Sequence, residues 1–354
     1  MRGLGLRTIH WQKTDDSLVR LADGSWRTMA DARREYPDFD ITRTWALPDV
    51  PALPDENLEA YLRRVGFSEA QLQYTRRAYG NALGDDIARA SAQAVLMEMR
   101  DTSTGEGDYR IVEGYDSLIR ALADGLDIRL NTVAQSIAWG GDSVRVETTD
   151  GTHYEADAVV ITLPLAVLQS GAVRFDPPLP ANKQAAIDRL HMGPALKMVY
   201  RFDTPILPEH IGAVYSALTP PMWWSPTLGR DAAGAYVWTA FTTGDWTREL
   251  LALGEEGALM RGLETLRAET GNPTLQPVAM RWMNWTDEPF TSGGYSVTPP
   301  GGIGLREALA APLAGRLFWA GEAAASEAWA ATVHGAYASG RRAAAERLGT
   351  QGMS

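Results

Sequence analysis

Two clusters of residues combine types and spacings that chemistry can use. The first runs Leu317-Phe318-Trp319-Ala320-Gly321-Glu322 and resumes at Ala331-Thr332-Val333-His334-Gly335-Ala336-Tyr337-Ala338-Ser339-Gly340. Four apolar residues ending in a glycine read as a buried strand. Thr332 reads as the N-cap of a helix, with Val333, Ala336, Tyr337, Gly340, Ala344 and Leu348 at roughly helical spacing. A glycine costs a helix interior about 1 kcal/mol against alanine. Gly335 and Gly340, with Ala336, Ser339 and Ala343, therefore predict a small face that something flat, or another backbone, approaches. A helix N-terminus also presents free N–H groups and a partial positive charge. One reading is a strand, a carboxylate and a small-faced helix aimed at a ligand. The other is an ordinary packed strand and helix, a unit that recurs in many folds.

The second cluster is Asn284-Trp285-Thr286-Asp287-Glu288-Pro289-Phe290, followed by Gly293-Gly294-Tyr295-Ser296. Taken alone, Tyr295 reads equally well as a turn residue. Lys197 lies on an alternating segment, 195–202, with Leu196, Met198, Tyr200 and Phe202 on one face and Lys197 and Arg201 on the other. Spacing alone makes Lys197 a solvated lysine on a half-buried sheet. Other chemistries lack their residues. The five histidines, at positions 10, 153, 191, 210 and 334, are scattered and form no His-x-x-x-His pair, which argues against zinc. No Gly-x-Ser-x-Gly elbow or Walker loop is present. There is no cysteine, hence no disulfide framework and no thiol nucleophile.

The elements that must position these residues are legible along the chain. Residues 18–26 alternate around Asp23-Gly24 and predict a hairpin. Helices are expected over 55–64, 68–83 (opening on the capping box Ser68-x-x-Gln71) and 86–100, so the N-terminal part reads as mostly helical, closed by a polar loop from 102. The character changes at Tyr109. Strand 109–112, helix 115–126, short strands 128–130 and 133–139, and a hairpin across Asp150-Gly151 follow. The run 158–164 is a continuous apolar strand, as in a sheet covered on both faces. Then come helix 180–192, strands 195–202, 211–218 and 235–242, helices 246–253 and 255–270, and strand 277–285. The 354 residues suffice for two domains and a sizeable core. A net charge of −11 argues against nucleic acid as a partner. No run of 18 apolar residues offers a membrane span, and residues 1–12 lack the apolar centre of a signal peptide, so the simplest expectation is a soluble cytoplasmic protein.

With these residues in view, the C-terminal cluster resembles the flavin-binding signature of the flavin-containing amine oxidases, a superfamily of monoamine, polyamine and L-amino-acid oxidases and the lysine-specific histone demethylase. The resemblance implies a two-domain α/β flavoprotein that binds FAD at Gly321, Glu322, Thr332, Val333 and Ala336. Residues 113–118 correspond to the family's turn and helix after a glycine pair, the second glycine being Tyr115 here. Val133 falls where the family holds the adenine of FAD through its backbone. The segment 192–197 is similar to the one whose lysine holds a water against flavin N5, which makes Lys197 a catalytic candidate. Its charge would favour the reduced, anionic flavin. The second cluster resembles the element that lays one ring on the flavin edge, here Trp285, and stands another before its face, here Tyr295. An aromatic wall attracts an amine nitrogen. Gly294 takes the place of the flavin-linking cysteine of monoamine oxidases, so FAD is expected to be non-covalent. The second cage tyrosine is replaced by Thr332, as in polyamine oxidases and the histone demethylase.

The implied reaction is oxidation of a primary or secondary amine to an imine, with O2 reduced to hydrogen peroxide. The implied partners are a small-molecule amine and O2. The implied division is 1–108 (substrate domain, helical part), 109–165 (FAD domain, middle), 166–285 (substrate domain, sheet and helices) and 286–354 (FAD domain, C-terminal part). One departure stands out. The family opens with a strand, a Gly-x-Gly-x-x-Gly turn and a helix, whereas Gly3-Leu4-Gly5 follows no strand and Gly302-Ile303-Gly304 fails the pattern. The FAD domain is thus expected to be incomplete at its N-terminus, through a start site placed downstream, a fragment, or completion by a separate chain. Two other readings remain open: a non-catalytic remnant or binding module, and a sister flavoenzyme of the L-amino-acid oxidase or desaturase type.

Overall fold

A computed structural model describes residues 4–11, 17–21, 24–35, 54–101, 108–228 and 234–349. Asp23, Gly3 and the polar stretch 102–107 lie outside them. The largest sheet has seven strands, in the order Ala279–Asn284, Ala195–Phe202, Tyr236–Thr243, Met222–Trp224, Ala213–Tyr215, Ser17–Arg20, Trp26–Thr28. Strand Ala195–Phe202 sits antiparallel between two partners, with Lys197 opposite Phe241 and Met283. Its alternation decides which face is buried: Leu196, Met198 and Tyr200 are at most 1% exposed and pack on Leu259, Leu263 and Leu266 of helix Gly254–Thr270. Each leucine buried in this way stabilises the fold by about 1.5–3 kcal/mol. The Tyr200 hydroxyl donates to Leu259 O at 2.8 Å, which satisfies the one polar group on that face.

A second core lies under two smaller sheets. Val159–Ile161 and Leu317–Trp319 pair in parallel, Val160 opposite Phe318. A four-stranded sheet runs His153–Ala156, Val144–Thr148, Ala134–Ala138, Arg174–Asp176. Helices Ala181–Arg189 and Leu305–Ala310 close this core. Within it Lys183 is 1% exposed, and its ammonium donates to Leu309 O and Ala311 O, both at 2.6 Å, at the C-terminal end of the second helix. Burial pulls its pKa down to about 7. The third core is helical: Leu58–Arg64, Glu69–Ala78 and Ala92–Asp101, with Val297.

Three expectations are corrected. The N-terminal part holds more strand than expected: the expected hairpin forms, with Ser17–Arg20 antiparallel to Trp26–Thr28, but it joins the seven-stranded sheet, and Thr8–Trp11 pairs with Asp108–Ile111. Residues 86–91 do not belong to the third helix. The carbonyls of Ile87 and Ala90 accept from Glu59 N–H and Leu58 N–H, the free donors of a neighbouring helix N-terminus. Residues 128–130 form no strand; Ile128 and Leu130 are 54% and 80% exposed.

Candidate functional site

A cleft of about 390 Å³ opens at the carboxyl ends of the two parallel strands. In open α/β sheets, that is where ligands bind. Thr162 to Pro164 follow one strand and Ala320 to Glu322 the other; Ala336 and Gly340 line the cleft from helix Val333–Leu348, and Met192 and Gly294 from across it. Gly321 has φ +108°, outside the range of other residues. Its N–H donates to Ser339 Oγ at 2.9 Å, and that hydroxyl donates to Gly321 O at 3.0 Å, which ties strand to helix. Glu322 accepts from Ser296 N–H at 3.1 Å, Ser296 Oγ at 2.7 Å and Ala331 N–H at 3.0 Å. Its carboxylate thus staples the second cluster to the start of the helix.

Thr332 caps the helix as expected, its hydroxyl accepting from Gly335 N–H at 3.0 Å and donating to Trp329 O at 2.7 Å. The two helix glycines serve different ends. A Cβ on Gly335 would lie 1.8 Å from Trp329 O, so another backbone approaches there. A Cβ on Gly340 meets nothing, because its neighbour is the cleft. Val333 is 54% exposed at the first turn.

The second cluster is a backbone knot. Trp285 N–H donates to Ala195 O at 3.1 Å, Gly294 N–H to Gly193 O at 2.9 Å, and Gly193 N–H to Tyr295 O at 3.2 Å. The Tyr295 hydroxyl donates to Ala82 O at 2.7 Å, which fixes the ring on the helical layer, and burial raises its phenol pKa. Close by, the fully buried Asp85 accepts both Arg248 nitrogens at 2.8 Å and pairs with His191. Burial alone would raise its pKa, but those two partners hold it well below the usual carboxylate range. Lys197 lies two residues past Ala195, about 7 Å along the strand. Its ammonium stands 5.6 Å from the Phe241 ring centroid and 6.0 Å from that of Trp224. Burial lowers its pKa.

The structure therefore gathers Gly321, Glu322 and Ala336 on the cleft, with Thr332 and Val333 at the start of the same helix. Gly294 lines the opposite wall, while Trp285, Tyr295 and Lys197 do not line the cleft; Tyr295 is tied to Gly193 and Trp285 to Ala195, and Lys197 follows two residues later on that strand. Val133 stands apart beside the four-stranded sheet, its carbonyl accepting from Thr149 N–H at 2.9 Å. Residue types alone did not single out Arg306. It is 2% exposed, pairs with Glu327 at 3.0 Å and donates to Ser296 Oγ at 2.7 Å.

The cleft fits one part of a flavin nucleotide. Its volume is that of a pocket for a drug-sized ligand, Ala336 and Gly340 leave a flat wall, and the Trp319 indole N–H is buried without an acceptor among the described residues. No glycine-rich turn between a strand and a helix cradles a pyrophosphate among the described residues. No helix among them is long and apolar enough to cross a membrane, and no cluster of side chains has the makings of a metal site.

Comparison with known proteins gives one consistent answer. Residues 7–347 match the family described as flavin containing amine oxidoreductase. Lysine-specific histone demethylase 2 of Homo sapiens is 31% identical over 358 residues, covering 94% of this chain and 42% of that protein. Polyamine oxidase 4 of Oryza sativa subsp. japonica is 37% identical over 248 residues, covering 68% of this chain and 49% of that protein. The chain thus spans about half the length of the curated relatives it matches. Among solved structures, a putrescine oxidase bound to putrescine superposes with a TM-score of 0.79 at 20% identity, covering 98% of this chain and 84% of that one. Cyclohexylamine oxidase from Brevibacterium oxydans IH-35A superposes at 0.77 with 18% identity, covering 99% and 84%. These two likenesses establish the fold.

Proposed function

The chain belongs to the flavin-containing amine oxidoreductases, and from that premise we propose that it forms the substrate side and the ring-binding side of an FAD-dependent oxidase of primary or secondary amines. One observation carries the reading: a cleft at the carboxyl ends of a parallel strand pair, with a small-faced helix on one side and, on the other, Gly294 from the backbone knot that also holds Trp285 and Tyr295. Gly321, Glu322, Thr332, Val333 and Ala336 would hold the flavin, with Val133 toward its adenine. FAD would be held non-covalently: the chain has no cysteine, which excludes a cysteinyl bond, and Gly294 takes the place of the linking residue. A flavin supplies a hydride acceptor for the amine α-carbon and a route for those electrons to O2, giving an imine and hydrogen peroxide.

The chain's own groups would orient the amine and exclude water. Tyr295, fixed through Ala82, offers an aromatic face to the substrate nitrogen. Trp285, 38% exposed, packs against the ring edge. Lys197, with its pKa lowered by burial, holds a water and places positive charge near the reacting centre. We assign 1–108 and 166–285 to the substrate domain and 109–165 and 286–354 to the FAD domain.

The pyrophosphate would be cradled by a strand–turn–helix unit outside these 354 residues, in the same or a separate polypeptide. Two features support this. Parallel sheets are normally covered on both faces, yet Val160 is 44% exposed in a pair only two strands wide among the described residues. Helix Tyr115–Ala123 has no buried residue and exposes Tyr115, Ile119 and Leu122 by 53%, 54% and 46%. The test is peroxide release by the chain supplied with such a unit and FAD. Release should depend on an added amine. Silence across monoamines, polyamines and amino acids contradicts the assignment.

A further inference from the structure

Tyr295 and Ser296 line a second, smaller pocket of about 50 Å³ that shares no lining residue with the cleft. Its walls carry Glu98 from helix Ala92–Asp101, Glu327 from the turn Glu327–Trp329, and Arg306 from helix Leu305–Ala310. Glu327 is 6% exposed, and only half of its carboxylate is satisfied. Oε2 accepts from Thr298 Oγ1 at 2.8 Å and Arg306 Nε at 3.0 Å, while Oε1 is buried with no partner. A buried charged acceptor left unsatisfied costs more than a neutral one, so this oxygen calls for a donor. A void larger than roughly 10–15 Å³ holds a water when polar partners line it. Glu98 is half-buried in the same wall, and its carboxylate makes no hydrogen bond to a described residue.

We propose that Glu98, Glu327 and one bound water form a carboxyl–water–carboxylate site that holds a single proton beside the Tyr295–Ser296 segment. Glu98 carries the proton as a neutral acid and donates to the water. The water donates to Glu327 Oε1. Glu327 stays ionised because Arg306 pairs with it. Every charged or titratable group facing Glu98 fits this assignment. Glu327 and burial disfavour a second negative charge, while Arg306 opposes them only in part. Tyr79 and Tyr295, whose phenols Glu98 pushes up, are neutral. Burial, the largest cause, lifts the Glu98 carboxyl to about 7. The site bears on the cleft because Arg306 also grips Ser296 O and Ser296 Oγ, and Ser296 in turn binds Glu322. Losing the proton sets two carboxylates against one guanidinium at the root of that chain. Glu98 is therefore a positioning residue. The inference does not depend on the amine oxidase reading.

The sign of the pH effect follows from linkage. A carboxyl whose pKa is higher folded than unfolded binds more protons in the folded state, so its contribution to stability falls as pH rises from about 4.5 to about 7 and is flat above. Thermal unfolding of the chain and of Glu98→Gln would be compared from about pH 5 to about pH 8. Glu98→Gln should match the parent at the acid end and unfold at a higher temperature at the alkaline end. A difference that does not change with pH overturns the proposal. Infrared difference spectroscopy of the unaltered chain needs no variant. At about pH 6 ordinary carboxylates are ionised, so one protonated carboxylic acid band should persist and disappear on titration through about pH 7. Its absence overturns the proposal as well.

Discussion

At the scale of single residues, Lys197 offers the sharpest test. Desolvation weakens its charge, and the faces of Phe241 and Trp224 return part of that loss. A lysine in such surroundings is set apart from the solvated lysine that its strand position alone suggests. Lys197→Met keeps the stem and removes the charge and the donor. In the flavin-loaded protein it should slow flavin reduction or reoxidation by at least roughly tenfold, about 1.4 kcal/mol of barrier, as read by stopped-flow absorbance. An unchanged rate would remove Lys197 from the reacting centre. Among the candidate positions, Gly321 after an apolar run and Thr332 before a helix carried a local signature, and Tyr295 stood out through the resemblance, so these were legible in the sequence. Arg306, Glu327 and Glu98 were not. The hydrogen-bond partners of Arg306 and Glu327 stand from 8 to 29 residues away, and an arginine or glutamate in a short polar stretch reads as surface until the fold buries it.

At the scale of elements, the C-terminal strand and helix were readable nearly residue for residue, because caps and apolar spacing are local signals. Helix Val333–Leu348 starts at the expected cap, and Ser68 and Gln71 form the expected capping box. The misread segment 86–91 failed for the opposite reason, since its carbonyls serve a helix that precedes it by some two dozen residues. The two helix glycines allow a direct test of what this element does. Gly335→Ala forces a Cβ against Trp329 O and should destabilise the chain by about 1–3 kcal/mol. Gly340→Ala meets open space and should stabilise it by about 0.5–1 kcal/mol, while narrowing the cleft and weakening flavin binding. Denaturant midpoints and a flavin fluorescence titration check both halves. If Gly340→Ala bound flavin as well as the parent does, the cleft wall would not be the ring site.

At the scale of the whole molecule, the fold class followed from the resemblance, but the sheet order did not. Strand Ser17–Arg20 lies parallel to Ala213–Tyr215, nearly 200 residues away, and no local pattern encodes that pairing. The same long-range assembly forms the cleft, whose walls come from three places in the chain: 161–168, Met192 and 291–340. The central claim is that this assembled cleft receives a flavin ring. Its most direct test is the visible absorbance spectrum of the 354-residue chain mixed with FAD, recorded beside free FAD and beside a Gly340→Leu variant that fills the cleft wall. A flavin band shifted and structured by an apolar site, and restored to the free form in Gly340→Leu, is the result expected. A spectrum identical to that of free FAD at saturating protein, for chain and variant alike, would contradict the claim.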